Sequence, residues 1–453
     1  MLARIGFRHG VHPPEHKELT HQLPIRRMPF PDEVVLPLRQ HAGNPAIPIV
    51  KVGDHVERGD MVARADGFIS VPIHASAAGT VAEIDWWPHI DGTMQMAVRL
   101  TVDKHAIHLP RPRLVPKWEG LSTSQVIQAV QDAGVVGLGG AAFPTHVKLT
   151  PPKGAAVHTL IVNGAECEPY LTSDHRTMVE FPQRVIFGVR VMMQTLGVKK
   201  AVIGVEMNKP DAVAALRANL PTDSDISVLP LTVKYPQGAE KMLIHAVTGE
   251  EVGSGKLPVT AGVIVQNVGS IAAVAEIFET GLPLIERIVT VSGDGILKPQ
   301  NLIVPVGTKL IDLLDYCGGL GPDAAEVILG GPMMGLAQSN LDAPVTKGTT
   351  GVVVLTSEQT RGTQVYPCIH CGRCLDACPV FLNPSLLGDL AKHQRWEAME
   401  ELHLTDCMLC GSCSYVCPSN IPLSQQFAFA KAGLRKRKVA AAALAANEAG
   451  GKG

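Results

Sequence analysis

Two short segments near the end of the chain contain eight of its ten cysteines in one repeated spacing. In each segment three cysteines are separated by two residues, and a fourth cysteine stands directly before a proline. In ferredoxins with two [4Fe-4S] clusters, the three thiolates of such a loop bind one cluster and the proline-flanked fourth binds the other. The spacing therefore predicts two clusters, the first bound by Cys368, Cys371, Cys374 and Cys417, the second by Cys407, Cys410, Cys413 and Cys378.

Structural zinc and disulfide bonds are the alternative uses of these cysteines. Zinc sites take four ligands in paired spacings, which would leave the third cysteine of each loop without a role. Only Cys167 and Cys317 lie outside the two segments, and few remaining thiols are typical of a reducing compartment. The iron–sulfur interpretation is favoured, and it predicts that electrons pass through the protein.

The composition excludes several other classes of function. A chain of 453 residues is expected to form three or four domains. Its net charge of −2 argues against a nucleic-acid partner, because no basic field would meet phosphates. The first ten residues lack the apolar core of a signal peptide. No run of about 18 apolar residues predicts a membrane span, although docking on a membrane remains open.

Residues 1–115 are rich in proline, glycine and short apolar alternations that predict strands with Gly-Asp turns, as at Gly53-Asp54 and Gly59-Asp60. This pattern resembles the β-barrel of biotinyl and lipoyl carrier domains. Those carriers present a modified lysine at a hairpin tip, whereas Ala65-Asp66-Gly67-Phe68 contains none. The segment is therefore expected to be a barrel that serves as a scaffold.

Residues 116–283 alternate between helix and strand. The stretch 122–134 has capping residues, a helical apolar period and a terminal glycine, while 159–163 and 200–206 are short apolar strands. Helices are also predicted at 184–196 and 210–219. Such alternation predicts a Rossmann-like parallel sheet, in which ligands lie beyond the carboxyl ends of the strands.

The rest of the chain predicts two more domains and a tail. Residues 284–356, with two strands and a short helix, resemble the soluble-ligand-binding β-grasp (SLBB) module, and Gly330-Gly331 is interpreted as a turn, with a phosphate site as the alternative. Residues 357–435 contain a long helical spacer between the cysteine runs, which is typical of α-helical two-cluster ferredoxin domains. Residues 436–453 are expected to be a flexible tail. The basic run 435–438 fits either a lipid-facing helix or a solvated helix end.

A glycine-rich loop follows the first helix of the second domain, from Gly134 to Lys148. Glycines let backbone amides approach a phosphate closely, and a lysine adds positive charge. Alone, such a loop is as often a structural turn. Three more segments accompany it downstream, in the order Asn163-Gly-Ala-Glu-Cys-Glu-Pro169, Tyr235-Pro-Gln-Gly-Ala-Glu240 and Val265-Gln-Asn-Val268.

In this order the four segments resemble the NADH-binding flavoprotein subunit of respiratory complex I, which holds FMN. The resemblance implies that FMN contacts Gly137, Gly139, Gly140, Lys148, Asn163, Glu166, Gly238, Glu240 and Asn267. It also implies that Phe143 and Glu168 face NAD(H). Three positions depart from that family, since Leu138 replaces an arginine, Ala165 an aspartate and Ala239 a glutamate.

The order of barrel, flavin domain, β-grasp module and two-cluster ferredoxin is similar to that of the RnfC (RsxC) family, as are Gly10-Val-His-Pro-Pro14 and Gln40-His-Ala-Gly43. The resemblance covers nearly the whole chain. It implies a peripheral subunit on the cytoplasmic face of the bacterial inner membrane, within an ion-translocating ferredoxin:NAD+ oxidoreductase. Electrons would pass between NAD(H), FMN, the two [4Fe-4S] clusters and membrane partner subunits, and reach a ferredoxin-type carrier indirectly.

Two other functions remain as alternatives. One is a soluble NADH-dependent reductase of the cobalamin-reductase type, although its flavin domain tends to come first in the chain. The other is an electron-wiring scaffold with a degenerate NADH site, suggested by Leu138, Ala165 and Ala239. No side chain is predicted to be catalytic. Cys167, between two acids, is expected to pack beside the flavin, because neighbouring carboxylates raise a thiol pKa.

Overall fold

The computed structural model describes residues 5–106, 108, 117–222, 224–360 and 364–450, with side chains up to residue 441. The expected boundary between residues 115 and 116 and the end of the expected tail lie outside the described residues. Within them the chain forms four modules, called first to fourth in chain order. An amino-terminal segment, residues 5–27, precedes the first module and ends in strand β1 (Ile25–Arg27).

The first module is built from two small antiparallel sheets. Their strand orders are β2-β8-β7-β4 and β3-β5-β6. Fully buried Val34, Leu36, Val62 and Val98 belong to the core of this module. The strands are β2 (Glu33–Pro37), β3 (Ile47–Pro48), β4 (His55–Val56), β5 (Met61–Arg64), β6 (Ile73–His74), β7 (Gly79–Pro88) and β8 (Met94–Val102).

The second module has a four-stranded parallel sheet with the order β11-β10-β9-β12, in agreement with the predicted alternation. Its first helix begins with a capping box, in which the side chains of Ser122 and Gln125 each bond the other's backbone amide. The elements are α1 (Thr123–Asp132), α2 (Thr145–Lys148), β9 (Thr159–Gly164), α3 (Ser173–Glu180), α4 (Pro182–Leu196), β10 (Lys200–Glu206), α5 (Pro210–Ala218), β11 (Ile226–Leu231), α6 (Glu240–Thr248), β12 (Val263–Asn267) and α7 (Val268–Thr280).

The third module is a mixed six-stranded sheet with the order β1-β14-β13-β17-β15-β16. Strand β1 pairs in parallel with β14, so the amino-terminal segment completes a sheet whose other strands lie far along the chain. From the sequence, this segment was expected to belong to the barrel. The remaining elements are β13 (Glu286–Ser292), β14 (Gln300–Pro305), α8 (Leu310–Tyr316), β15 (Ala324–Leu329), β16 (Leu336–Ala337) and β17 (Gly351–Thr356).

The fourth module is helical. The cysteine runs flank a core that includes Leu387, Met399 and Phe427. The last helix continues to residue 450, where a flexible tail was expected, because the alanines beyond Val439 are strong helix formers. The helices are α9 (Arg373–Ala377), α10 (Pro384–Lys392), α11 (Trp396–Glu401), α12 (Ser412–Tyr415) and α13 (Leu423–Gly450).

The basic run on α13 contacts the neighbouring helix. Arg437 and Lys438 form ion pairs with Glu397 and Glu400 of α11, and the Arg437 guanidinium lies 4.4 Å from the centre of the Trp396 ring. Two of the four basic side chains are therefore engaged within the fourth module. None of the helices in the described part of the chain is both long and apolar enough to cross a bilayer.

Candidate functional site: an anion cradle beside two four-cysteine sites

The predicted site residues of the second module meet at the carboxyl edge of its sheet. Strands β9 and β12 are adjacent and parallel, and their register places Asn163 opposite Asn267. The Asn267 side chain caps α7 by accepting hydrogen bonds from the amides of Gly269 and Ser270. A Cβ on Gly139 would lie only 3.2 Å from Nδ2 of Asn267, so the glycine loop lies directly against this strand end.

The glycine loop is folded by its own backbone and by α7. The amide of Gly137 donates to the carbonyl of Phe143 at 2.8 Å, and the amide of Ala142 donates to the carbonyl of Gly137 at 3.1 Å. The amide of Leu138 donates to the Ser270 hydroxyl at 2.7 Å. These bonds fix both sides of the loop and leave its tip, residues 139–141, exposed.

The tip of the loop has the donors that an anion needs. Within the described residues, the backbone amides of Gly139, Gly140 and Ala141 donate to no protein acceptor. Gly140 has φ +100°, a conformation that favours glycine, and a Cβ there would meet no atom within 4 Å. Successive free amides in a turn form an anion-binding concavity. The tip, called the cradle below, therefore fits the phosphate of FMN.

Two further predicted residue pairs lie beside the cradle's strand edge. The Lys148 ammonium donates to Glu240 at 2.7 Å and to the carbonyl of Val265 at 3.1 Å. The Asn163 amide donates to the carbonyl of Gly238 at 2.8 Å. A Cβ on Gly238 would lie 2.3 Å from the carbonyl oxygen of Ala165, so only glycine fits there.

The two predicted acids of the second motif have different surroundings. Glu166 is buried and accepts hydrogen bonds from the Ser173 hydroxyl and from the amides of Asp174 and His175. It therefore satisfies the free amides at the start of α3. Glu168 accepts from the amide of Met333 at 3.1 Å, and burial raises its pKa to about 7. The structure thus places Glu168 against the third module.

Cys167 and Phe143 complete the predicted set. Burial and the charges of Glu206 and Glu168 raise the pKa of Cys167 to about 12, and its sulfur accepts from the amide of Gly238 at 3.3 Å. The thiol is therefore protonated at neutral pH, which supports a packing role. Phe143 is half-buried, and its carbonyl holds the amide of Gly137.

The cysteines of the fourth module separate into the two predicted groups. One cavity, of about 390 Å³, is lined by Cys368, Cys371, Cys374 and Cys417. A second is lined by Cys378, Cys407, Cys410 and Cys413. Burial raises the pKa of Cys374, with Cys417, Cys368 and Cys371 as charge neighbours, and that of Cys413, with Cys407, Cys410 and Cys378. Each group therefore takes its fourth cysteine from the other run.

This grouping fits a cluster better than a single ion. In the described residues no three His, Cys, Asp or Glu side chains are close enough to hold one metal ion. The thiolates of a cubane bind four different iron atoms, so they stand farther apart than the ligands of one ion. The sulfur-only donor set also suits iron–sulfur clusters.

The second cysteine group lies against the second module. The Tyr235 hydroxyl donates to the carbonyl of Cys410 at 2.7 Å, and Tyr235 is in the same motif as Gly238. A Cβ on Gly411 would lie 2.7 Å from the carbonyl oxygen of Met333, so this cysteine loop is also packed on the third module. In the first group, by contrast, Cys371 is exposed and Ile369 is 66% exposed.

Several residues around the cradle had not been singled out in the sequence. Asp174 accepts a hydrogen bond from Asn267 at 2.6 Å, and Ser270 and Arg287 bond the backbone of Leu138. Asp174 lies in the first turn of α3, where an acid is ordinary. Arg287 belongs to another module. Sequence spacing therefore carries no signal for either contact.

Asp174 is expected to make FMN binding depend on pH. Burial and the nearby Glu166 carboxylate raise the pKa of Asp174 to about 7. It is thus protonated below that pH and negative above it, next to the residue that contacts the cradle. FMN affinity should fall between about pH 6 and pH 8 by roughly fivefold, the effect of one screened charge. Fluorescence titration of the apoprotein with FMN measures it.

The FMN phosphate works in the opposite direction, because its second pKa of about 6 makes it more negative as pH rises. In D174N the fall should therefore disappear. The control is E168Q, since Glu168 also has a raised pKa but faces Met333. An unchanged fall in D174N would show that Asp174 is not the titrating group.

An amide cradle at a parallel-sheet edge, beside two four-cysteine sites, defines a flavin and iron–sulfur electron-transfer protein. The domain models agree with this class. Residues 130–276 match the Nuo51 FMN-binding domain, and residues 364–421 match the 4Fe-4S dicluster domain. Residues 5–105 match the RnfC barrel sandwich hybrid domain, and residues 288–337 match the SLBB domain.

Whole-chain relatives narrow the class, and all three are RnfC subunits. The chain is 44% identical to that of the proton-translocating ferredoxin:NAD(+) oxidoreductase complex of Clostridium ljungdahlii, over 88% of this chain and 88% of the relative. It is 43% identical to that of the Na(+)-translocating complex of Acetobacterium woodii, over 88% and 90%. It is 40% identical to that of the ion-translocating oxidoreductase complex of Rhodobacter capsulatus, over 96% and 85%.

The chain belongs to the RnfC family of ion-translocating ferredoxin:NAD+ oxidoreductase complexes. The predicted family is confirmed, and the predicted FMN and [4Fe-4S] cofactors are confirmed at the level of domains. Among solved structures, an NAD+-reducing [NiFe]-hydrogenase in the air-oxidized state is similar, with a TM-score of 0.50 and 20% identity, over 70% of this chain and 64% of that chain. That likeness concerns the fold alone.

Proposed function

We propose that the protein is the electron-input subunit of a membrane-bound, ion-translocating ferredoxin:NAD+ oxidoreductase. It passes electrons between NAD(H), FMN and two [4Fe-4S] clusters, and then to integral-membrane and peripheral partner subunits. It is proposed to lie peripherally on the cytoplasmic face of the bacterial inner membrane and to reach a ferredoxin-type carrier indirectly. The direct contact between the cradle's module and the second cysteine loop, through Tyr235 and Cys410, carries this proposal.

The chain's own residues divide the work. The amides of Gly139, Gly140 and Ala141 hold the phosphate of FMN, while Asn163 and Asn267 border it at the strand ends. When bound, the flavin supplies the exchange between the two electrons of a hydride and the single electrons of a cluster. Lys148 compensates negative charge beside the site.

Burial and contact order the two cysteine groups along the route. The second group touches the second module through Cys410, and the first group lies at the surface around Cys371. The second group is therefore the inner one, and the first group is the exit toward a partner protein. The exposed side chains of Tyr366, Ile369 and Phe381 surround that exit.

The finer fold assignments are proposals in the same sense. They are a biotinyl/lipoyl-like barrel, a Rossmann-like FMN/NADH domain, a β-grasp module and an α-helical two-cluster ferredoxin domain, with the domain limits given above. The NADH contacts of Phe143 and Glu168 are proposed from the resemblance, and Glu168 would meet the dinucleotide near the third module, where it bonds Met333. Family membership favours a role within the complex over the soluble reductase.

The test is anaerobic reduction of the FMN-loaded, cluster-reconstituted protein with NADH. Bleaching of the flavin absorbance followed by a reduced-cluster EPR signal is the expected result. Absence of any NADH-dependent reduction, in protein that dithionite still reduces, would contradict the oxidoreductase function and leave the scaffold alternative. Co-purification with integral-membrane proteins of the complex then excludes a soluble reductase.

Tyr235→Phe tests the proposed inner contact. The variant loses only the hydroxyl that donates to the carbonyl of Cys410, so the flavin should still be reduced by NADH at the normal rate. Cluster reduction should slow by roughly tenfold, because a loosened contact costs about one hydrogen bond of docking energy. Stopped-flow absorbance follows both steps. Tyr366→Phe, at the exposed exit, is the matched control.

A further inference from the structure

Two buried cations of the third module reach the glycine loop from below. Arg287 is 6% exposed, and its guanidinium donates to the carbonyl of Leu138 at 3.0 Å and to that of Thr349 at 3.0 Å and 3.1 Å. Lys347 is 1% exposed, and its ammonium donates to the carbonyls of Gly134 and Pro72, both at 2.8 Å. Gly134 and Leu138 bracket the first half of the loop.

The backbone around Lys347 fits closely beneath the same loop. A Cβ on Gly348 would lie 3.2 Å from the Cβ of Ala142 and 3.5 Å from the carbonyl oxygen of Gly140. A Cβ on Gly134 would lie 2.4 Å from Nζ of Lys347. The third module therefore forms the floor under the cradle, and glycine is required on both sides of the contact.

Neither cation forms a salt bridge in the described part of the chain. Burial lowers the pKa of Arg287 to about 10, against the opposing charge of Asp174, and burial alone lowers that of Lys347 to about 7. Burying a cation without a bonded carboxylate is costly, and the compensation here is hydrogen bonding to backbone carbonyls. The acceptors that these cations bind are concentrated on the loop that bears the cradle.

The direction of these bonds matters for anion binding. A loop can bind a phosphate through its amides only if its carbonyl oxygens point elsewhere, since they would repel the anion. Carbonyls turned into the protein need donors there. Lys347 and Arg287 are those donors for Gly134 and Leu138, and the free amides of residues 139–141 lie on the outer side.

We propose that Arg287 and Lys347 are positioning residues for FMN, so that the third module is a structural part of the flavin site. They hold the carbonyls of Leu138 and Gly134 inward and thereby present the cradle amides to the phosphate. This inference rests on the proposed function, because it assumes that the cradle binds the FMN phosphate. It gives the third module a role other than binding a ligand of its own.

The experiment compares FMN with riboflavin, which lacks the phosphate. Apoprotein of the wild type and of the variants Arg287→Met and Lys347→Met is titrated with each flavin by fluorescence quenching. Each variant should lose roughly tenfold in FMN affinity, as for one hydrogen bond to a charged group. Riboflavin affinity should change little, so the preference for FMN should shrink. A general loss of structure would instead weaken both flavins.

Arg58→Met is the matched control. Arg58 is also buried at the edge of the third module, where it pairs with Glu286, but it bonds no residue of the glycine loop in the described structure. Its preference for FMN should equal that of the wild type. If Arg287→Met does not fold, Arg287→Lys replaces it, because a single ammonium cannot bond both Leu138 and Thr349 as the guanidinium does.

The outcomes separate the two proposals. A wild type with no preference for FMN over riboflavin would overturn the assignment of the cradle itself. A wild type with that preference, retained in folded Arg287 and Lys347 variants, would overturn only the positioning role. Loss of the preference in Arg58→Met as well would show a general effect of the third module and would also overturn it.

Discussion

Cys378→Ser is expected to remove the cluster of the second cysteine loop and to leave the cluster of the first. Cys378 lies in the first run, but it lines the cavity formed with Cys407, Cys410 and Cys413. A serine hydroxyl is a poor ligand for the iron of such a cluster. The iron content of the reconstituted protein should therefore fall from about eight atoms per chain to about four.

The identity of the surviving cluster decides the ligand assignment. Combining Cys378→Ser with Cys413→Ser should lose no more iron than Cys378→Ser alone, whereas combining it with Cys374→Ser should remove both clusters. Iron analysis and EPR of the dithionite-reduced proteins measure this. Cys317→Ser is the control, because Cys317 is a buried thiol in the core of the third module. Additivity of Cys378→Ser with Cys413→Ser, and none with Cys374→Ser, would reverse the assignment.

Gly140→Val should abolish FMN binding while leaving the fold intact. Gly140 has φ +100°, so valine adds strain of roughly 1–3 kcal/mol. The new side chain meets no protein atom within 4 Å, and instead covers the cradle amides. Losing two hydrogen bonds to a charged phosphate corresponds to an affinity loss of about a hundredfold or more. Flavin content after purification and titration with FMN measure it.

Gly154→Val is a closely matched control for that variant. Gly154 is in the same module, has φ +83°, and also has no atom within 4 Å of an added Cβ. It carries the same kind of backbone strain but lies outside the glycine loop. Both variants should lose a similar amount of thermal stability, and only Gly140→Val should lose FMN. Equal FMN loss in both would mean that strain, and not the cradle, limits binding.

Local patterns predicted the elements of the second module well. Apolar strands such as 200–206 and helices with caps and terminal glycines, such as α1 and α4, depend on residues within one element. The cysteine grouping was also predictable, because the ligand pattern is written in the spacing. In each case the physical cause lies within a few residues of sequence.

Contacts between modules could not be predicted in the same way. Arg287 under the glycine loop and Tyr235 on Cys410 join residues that are 149 and 175 positions apart. Their energies come from burial and hydrogen bonding that exist only after the modules pack. The helical end of α13 was missed for a different reason, since low complexity and polarity were given more weight than the helix propensity of alanine.

The amino-terminal segment has a consequence for biosynthesis. Thr20 accepts a hydrogen bond from Asn301, which is 281 residues later, and Gly10 donates to Ala377. The ribosome therefore releases residues 5–27 long before their binding surfaces exist, and the segment must wait while the other modules fold in order of synthesis. Its docking across the second, third and fourth modules is the last step of chain folding. Until then, the side of the cysteine loops that Gly10 later covers stays open to the proteins that deliver iron and sulfide.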